Sequence, residues 1–314
     1  MNLRNNDLNI AKLLIEELEL DCLALTGCRS DGIDTEFCEY NFINNKKNDT
    51  IELENKIIQL CKIENNITNI PEYYKFLNVE IIADKNFQLK PLVNKAESVK
   101  NDIYKDLSIS KKIEINSKID KITKAIEKNY VIDYSFFGIS LGYTILEYEF
   151  AKNQMKFHPT HIIEQLKQLN SKREVIEQSL DLLLVSRATD SNIKRRLEGI
   201  KALILETVDL NIINKSEISF KLEIMKNKTE YLINNHKLVD AYSMLGYEFI
   251  KLIERINTEH NYRKETVPHY NKIISEIFET ENNNIKITNT TFKKIDFSTK
   301  EIELKKLINN LKGL

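Results

Sequence analysis

Glycine and proline are both scarce in this sequence. Its 314 residues include seven glycines and four prolines, whereas glycine alone makes up roughly 7% of an average protein. Turn-rich β proteins and glycine-rich phosphate loops both depend on these residues, while long helices joined by short connections need few of either. The composition therefore disfavours turn-rich β architectures and phosphate-binding loops, and it favours a chain built from long helices.

The sequence also lacks long apolar runs and an excess of charge of one sign. Its longest apolar stretch, residues 135–146, is shorter than the ~20 residues of a membrane span, and Asp133 and Glu147 flank it. The 46 basic and 47 acidic residues nearly balance, so bulk charge does not indicate nucleic acid or an anionic membrane as an obligate partner. The N-terminal segment has no apolar core typical of a secretory signal. We expect a cytoplasmic protein with no membrane insertion.

Local patterns in the first third of the chain predict a mixture of helices and strands. Glu52 is placed for a capping box with a helix that begins near Asp49 or Thr50. An Asp-Gly turn at Asp31 separates two β-rich runs, which is typical of a hairpin. The predicted elements are, in order, a helix over 7–19, a hairpin of 21–27 and 33–42, a helix over about 49–62, a strand over 76–84 and a helix over 91–107.

Apolar residues recur with helical spacing from about residue 111 to 280. Ile115, Ile119 and Ile122 begin one such stripe, and the strongest stripe lies over residues 242–256. Each stripe must bury its apolar face, so a series of them predicts a helical bundle. A short strand pair (285–287 and 292–297) and a capped final helix follow.

We therefore predict a predominantly α-helical α+β fold with a small N-terminal α/β module. A helical bundle follows it, and then a short C-terminal strand pair plus helix. The predicted domains are residues 1–108, 109–281 and 282–314. Gly138 and Gly142 lie four residues apart in the most apolar helix, where each costs ~1 kcal/mol relative to alanine. Close packing of another helix is the expected reason, with a ligand notch as the alternative.

Arginine and histidine recur at short spacing near the end of the predicted bundle. Arg255 and His260 have the form R-x4-H, and Arg263 and His269 have the form R-x5-H. This spacing resembles the active-site motif of the HEPN superfamily, helical domains that often cleave RNA without a metal. The resemblance implies a histidine as general acid–base and an arginine that stabilises phosphorane charge. In the structural alternative, Arg255 flanks an apolar stripe and His260 caps the helix carbonyls.

Acidic residues on the predicted N-terminal strands form a second candidate site. Asp34 and Glu36 alternate along one predicted strand and so leave the same face, and Glu80 or Asp84 lies on a later strand. Three carboxylates on adjacent strands could hold Mg²⁺ and a nucleotide. The order of elements is similar to that of nucleotidyltransferases, although Gly27 precedes Asp34 too closely for the helix that this family inserts there. Alternatively, these charges protect an edge strand from pairing.

A third candidate is a group of basic residues around a predicted helix start at Asp190, where backbone N–H groups also favour anions. Such a group could bind a phosphate or an RNA backbone. Alternatively, Asp190 and Glu198 pair with these residues on a solvated face. The basic residues are Arg187, Lys194, Arg195 and Arg196.

The four cysteines all lie in the first 61 residues and have no C-x2-C spacing. They are expected to be buried thiols rather than zinc ligands, and we predict no cofactor. The function that we favour is an interaction or assembly protein that binds a protein partner, self-associates or binds RNA. A metal-independent ribonuclease and a Mg²⁺-dependent nucleotide-handling enzyme are the alternatives.

Overall fold

The computed structural model describes residues 4–64, 67–127, 131–209 and 215–260. These residues cluster into two compact units: the first contains the described residues within 1–107 and 219–228, and the second contains those within 108–218 and from 229 onwards. The elements of the first part are α1 (Asn5–Leu18), β1 (Cys22–Thr26), β2 (Tyr40–Asn44), β3 (Asp49–Leu53), β4 (Lys56–Lys62), a 3-10 helix (Ile70–Phe76), β5 (Glu80–Asp84) and α2 (Leu89–Ser98). The later elements are α3 (Lys100–Glu127), α4 (Val131–Lys152), a 3-10 helix (Pro159–His161), α5 (Ile162–Leu166), α6 (Arg173–Leu182), a 3-10 helix (Val185–Arg187), α7 (Asp190–Asp209), α8 (Lys215–Asn234) and α9 (Leu238–His260).

A mixed five-stranded sheet forms the centre of the first unit, with the strand order β3-β4-β2-β1-β5. β1 pairs antiparallel with both β2 and β5, whereas β2 and β4 are parallel. β1 is buried along nearly its whole length, as expected of an apolar strand at an interior position of the sheet. Ile10 and Leu14 of α1 pack with Leu23, Leu25 and Phe42 of the sheet in one apolar cluster.

The helix predicted over residues 49–62 is wrong, because this segment forms the antiparallel hairpin of β3 and β4. Ile51 and Leu53 on β3, and Ile58 and Leu60 on β4, repeat every second residue, and all four belong to or pack against the cluster around α1. That spacing fits a pleated strand with one buried face. The turn places Asn55 at a positive φ of 58°, a conformation that asparagine tolerates well.

The strand predicted over 33–42 begins only at Tyr40, and residues 27–39 form a loop instead. The buried Arg29 side chain holds this loop together. Its guanidinium donates to the Cys38 carbonyl at 2.6 Å, forms an ion pair with Asp34 at 3.1 Å and lies 3.8 Å from the centre of the Tyr40 ring. Asp34 and Glu36 therefore do not share a strand face as predicted. β1 and β2 are still antiparallel neighbours, as the hairpin prediction required.

The second unit is a packed set of helices, as the apolar stripes predicted. Ile115, Ile119 and Ile122 of α3 form a buried cluster with Leu141 and Ile145 of α4. The stripe over 242–256 also proves buried over the part whose side chains are described: Tyr242, Leu245, Phe249, Leu252 and Ile253 of α9 all lie in the core.

Close helix packing explains one of the two glycines of α4. A Cβ atom on Gly142 would lie 3.0 Å from the Ser179 carbonyl oxygen of α6 and 2.9 Å from the Leu183 side chain. The predicted close approach is therefore confirmed at Gly142. A Cβ on Gly138 would meet nothing within 4 Å, so close packing does not explain that residue.

The described residues form the predicted predominantly helical α+β fold. Among them, no helix is both long and apolar enough to cross a membrane. The strand pair and helix predicted over 282–314 lie outside the described residues. The domain limits at 108 and 281 stay a prediction.

Candidate functional site

The arginine–histidine motif is only partly covered by the described residues. Arg255 is exposed on the last turns of α9, and His260 is the last residue of that helix, with its side chain outside the described set. Arg263 and His269 also lie outside the described residues. The ribonuclease site therefore stays a prediction, without a described distance between an arginine and a histidine.

The carboxylate of Asp84 has hydrogen-bond partners within its own unit. Its carboxylate accepts the backbone N–H groups of Gln88 at 2.7 Å, Leu89 at 3.1 Å and Lys90 at 2.8 Å, at the beginning of α2. A carboxylate that accepts these unpaired N–H groups stabilises the start of the helix. Glu80 lies half-buried on the same strand, opposite Leu25 of β1. Asp84 thus has a structural role that accounts for its position.

Asp34 is likewise engaged, because Arg29 and Arg4 both contact its buried carboxylate, at 3.1 and 2.5 Å. Glu36 is exposed in the same loop. Two guanidinium partners compensate the charge that a magnesium ion would otherwise balance. A metal site that uses Asp34, Glu36, Glu80 and Asp84 stays a prediction.

Arg196 of the predicted phosphate site is buried inside the helical unit, where it is 2% exposed. Its guanidinium lies 3.5 Å from the centre of the Tyr242 ring and donates to the Tyr242 carbonyl at 2.9 Å. A Cβ on Gly246 would lie 2.9 Å from the Nη1 atom of Arg196, so the glycine leaves room for the guanidinium. Arg196 therefore packs between α7 and α9 and is not at the surface.

The other basic residues of that prediction have different surroundings. Lys194 is exposed and forms an ion pair with Asp190 at 2.9 Å, which is the structural alternative given above. Arg195 is exposed, and Arg187 is half-buried in the 3-10 helix before α7. Only Lys194 and Arg195 of the four are therefore exposed, and anion binding by this group stays a prediction.

A network of partly buried charges links α3, α4 and α9, and the sequence did not predict it. We call it the Lys118 network. The Lys118 ammonium donates to Glu114 at 2.6 Å, to the Thr144 hydroxyl at 2.7 Å and to Glu254 at 3.3 Å. Ser140 donates to the same Glu254 oxygen at 3.1 Å. The sequence contained one indication of it, namely polar residues at 140 and 144 in the most apolar helix.

A second part of the Lys118 network surrounds Glu147. Lys111 contacts this carboxylate at 2.6 Å and Glu114 at 3.0 Å, and the Tyr247 hydroxyl donates to Glu147 at 2.7 Å. Burial and the neighbouring Glu147 both raise the pKa of Tyr247. Burial opposes the charge on Lys111, but Glu147 and Glu114 raise its pKa above the usual value.

Two carboxylates of the Lys118 network, those of Glu114 and Glu254, have pKa values below the ordinary value of 4.5. Burial opposes the charge on Glu114, but hydrogen bonds from Lys118 and Lys111 hold its pKa at about 2. Burial also opposes the charge on Glu254, but Lys118 and Lys251 lower its pKa. Because these shifts keep Lys111, Glu114 and Glu254 charged through the neutral range, the three groups are suited to holding helices together and not to transferring protons.

The first unit contains a cluster of two thiols and one lysine, which we call the thiol–lysine cluster. The Sγ atoms of Cys28 and Cys38 lie within 4.8 Å of each other, and both residues are buried. The backbone N–H of Thr35 donates to Cys38 Sγ at 3.3 Å. Lys228, from the part of α8 that belongs to this unit, forms a buried ion pair with Glu39. Burial opposes the charge on Lys228, but Glu39 and Cys38 raise its pKa.

Sequence comparison adds no relative from which a role could be transferred. No protein-family model matches this chain, and no curated protein matches it in sequence. Neither the arginine–histidine motif nor the acidic residues therefore gain support from a related protein. The function has to be argued from the described residues themselves.

An exposed pair of isoleucines marks the surface of α3. Ile109 is 50% and Ile113 is 65% exposed, and they lie four residues apart, so they are neighbours on one side of the helix. We call this side the outward face of α3. Ile115, Ile119 and Ile122 of the same helix are buried. α3 thus carries apolar residues on two sides, of which only one is covered in the described residues.

Proposed function

We propose that this chain is an interaction protein without catalytic activity, and that it binds a helical segment of a protein partner on the outward face of α3. The observation that carries the proposal is the exposed pair of Ile109 and Ile113. Apolar neighbours at i and i+4 on a helix are the usual anchors for a partner helix that lies along it. Single exposed apolar residues are common and need no explanation, whereas contiguous apolar patches mark contact sites.

The area available sets the expected strength of binding. Full burial of an isoleucine side chain contributes ~1.5–3 kcal/mol. About half of the surface of Ile109 and about one-third of that of Ile113 is already buried within the chain. Together the two side chains would contribute roughly 2–3 kcal/mol as anchors. A stable complex therefore needs further polar and apolar contacts around them, and the expected association is reversible.

The chemistry of the described polar groups also supports an interaction role over a catalytic one. Asp34 and Asp84 have protein partners, and the Lys118 network pairs each of its carboxylates with a lysine. General acid–base catalysis needs a group with a pKa near the working pH, whereas Glu114 is held at a pKa of about 2. We further propose that the protein acts in the cytoplasm, since none of its four cysteines, all within the described residues, is in a disulfide.

Photo-crosslinking from the outward face of α3 tests the proposal. A photoreactive phenylalanine analogue replaces Ile113 in the full chain, and the protein is irradiated in the cells that naturally make it. Leu205 of α7, which is 56% exposed, provides the matched control position. We expect a discrete protein adduct from position 113 that position 205 does not give. The Ile109→Asp/Ile113→Asp variant should lose the partner, while Leu205→Asp should keep it.

Several outcomes would contradict the proposal. Adducts of equal yield from positions 113 and 205 would indicate unspecific contacts, and the absence of any adduct would leave the apolar pair without a partner. An adduct of two copies of this chain would show that this surface mediates self-association and does not bind a different protein. An adduct removed by ribonuclease would make RNA the partner. Cleavage of labelled RNA by the purified protein in EDTA would favour the ribonuclease alternative.

A further inference from the structure

Cys28 and Cys38 of the thiol–lysine cluster are buried, as predicted, but their surroundings have features that a purely apolar packing role does not explain. Cys28 follows β1 and Cys38 precedes β2, and these strands are antiparallel, with Thr26 paired to Asn41. The ends of the intervening loop are therefore held side by side. This explains why two cysteines ten positions apart bring their Sγ atoms within 4.8 Å of each other.

The surroundings of Cys38 favour a negative charge on its sulfur. The Thr35 N–H points to Cys38 Sγ at 3.3 Å, and the Thr35 hydroxyl lies 3.4 Å from the same atom. Nearby, Lys228 is buried, with 8% of the residue exposed, and its ammonium forms an ion pair with Glu39. A neighbouring lysine, and hydrogen bonds donated to the sulfur, both favour the thiolate form of a cysteine.

Cys28 is suited to the complementary role. Its hydrogen bond with Cys38, and then burial, raise the pKa of the Cys28 thiol well above the usual range. Cys28 therefore keeps its proton and can share it with the sulfur of Cys38. One sulfur of the pair is the nucleophile and the other holds a proton that it can give up, which is the division of roles in a reactive dithiol.

We propose that Cys28 and Cys38 are a modification site at which a hydroperoxide converts the dithiol into an intramolecular disulfide. The Cys38 thiolate attacks the peroxide oxygen, the O–O bond breaks, and an alcohol or water leaves after taking up a proton. The resulting sulfenic acid on Cys38 is attacked by the sulfur of Cys28, which loses its proton, and water leaves. In balance, two thiols lose two electrons and two protons, and one hydroperoxide is reduced to an alcohol and water.

Lys228 is the positioning residue of this site. It does not exchange atoms with the peroxide, but its charge favours the Cys38 thiolate in a buried environment. Lys228→Gln should therefore slow the oxidation about tenfold, the change that corresponds to the loss of roughly one pKa unit of thiolate stabilisation. Lys228→Arg keeps the charge and should restore most of the rate.

The experiment treats the reduced full-length protein with hydrogen peroxide, quenches it and alkylates the remaining thiols after denaturation. Peptide mass spectrometry then identifies each cysteine. We expect a peptide pair linked through Cys28 and Cys38 and lighter by two hydrogen atoms. Cys61 is exposed and provides an internal reference for unspecific oxidation. In Cys28→Ser, dimedone should trap a sulfenic acid on Cys38.

The proposal would be overturned if both thiols stayed open to alkylation at a peroxide dose that oxidises Cys61. It would also be overturned if both became sulfinic acids without a link, or if the links joined Cys22 or Cys61 at similar yield. If Lys228→Gln does not fold, the rates of the wild type and Lys228→Arg and the trapping in Cys28→Ser still decide the question.

Discussion

Removal of the charge on Glu114 tests whether the Lys118 network stabilises the helical unit. The pKa of Glu114 is about 2, against an ordinary value of 4.5. Each pKa unit corresponds to about 1.4 kcal/mol, so the difference sets an upper limit of about 3.5 kcal/mol on the stabilisation. The side chain is 32% exposed, and solvent screening lowers the expected value to about 2 kcal/mol. Glu114→Gln keeps the shape of the side chain, and Lys118 keeps Glu254 as a partner.

The pH dependence distinguishes a charge effect from a packing effect. Because the pKa of Glu114 is lower in the folded state than in the unfolded state, its stabilisation is complete above about pH 5 and is lost as the pH falls towards 2. Urea unfolding followed by circular dichroism should show Glu114→Gln less stable than wild type by about 2 kcal/mol near pH 7, and by less than half of that near pH 3. A difference that does not change with pH would refute the reasoning.

An exposed ion pair of the same kind provides the matched control. Glu198 and Lys201 of α7 lie three residues apart and form an ion pair at 2.6 Å. Lys111 and Glu114 have the same spacing, with a contact of 3.0 Å. Glu198, however, is 68% exposed. Exposed pairs of this type contribute under about 0.5 kcal/mol. Glu198→Gln should therefore leave the free energy of unfolding almost unchanged at every pH. An effect as large as that of Glu114→Gln would mean that burial is not the cause.

Two further predictions concern packing in the helical unit. Gly142→Ala should lower the free energy of unfolding by about 1–3 kcal/mol, because its Cβ would press on the Ser179 carbonyl. Gly138→Ala in the same helix should raise it by up to ~1 kcal/mol, because its Cβ meets nothing within 4 Å; equal effects of the two changes in thermal unfolding would contradict the packing argument. Arg196→Met should leave the melting temperature unchanged or raise it, because burial of the Arg196 charge costs desolvation free energy. The contacts of the guanidinium with Tyr242 oppose this effect, and a large fall in melting temperature would show that they outweigh the desolvation cost.

The helices of the second unit could be predicted from the sequence because helical periodicity is local. Residues that share a helix face are three or four positions apart, so a stripe such as that over 242–256 can be recognised from its own segment of sequence. α9 (Leu238–His260) and α7 (Asp190–Asp209) follow their predicted stripes closely. The scarcity of glycine and proline indicated the same fold class.

The strands were predicted less well because their pairing is not local. The capping pattern at Asp49 is compatible with a helix start, and only pairing with β2 and packing against α1 make residues 49–62 a hairpin. Similarly, residues 33–39 have a β-rich composition, but the buried Arg29 side chain holds them as a loop. Competing local preferences are decided by tertiary contacts.

The sequence by itself determined the fold class, the helical bundle and the close approach at Gly142, since each depends on spacing along one helix. Only the tertiary structure brought together the charged groups of the Lys118 network and the two thiols of the proposed modification site. Lys118 and Glu254 are 136 positions apart, and Lys228 joins a loop that ends nearly two hundred residues earlier in the chain. Whether a charge is solvated or paired in the interior depends on distances that composition and periodicity do not contain.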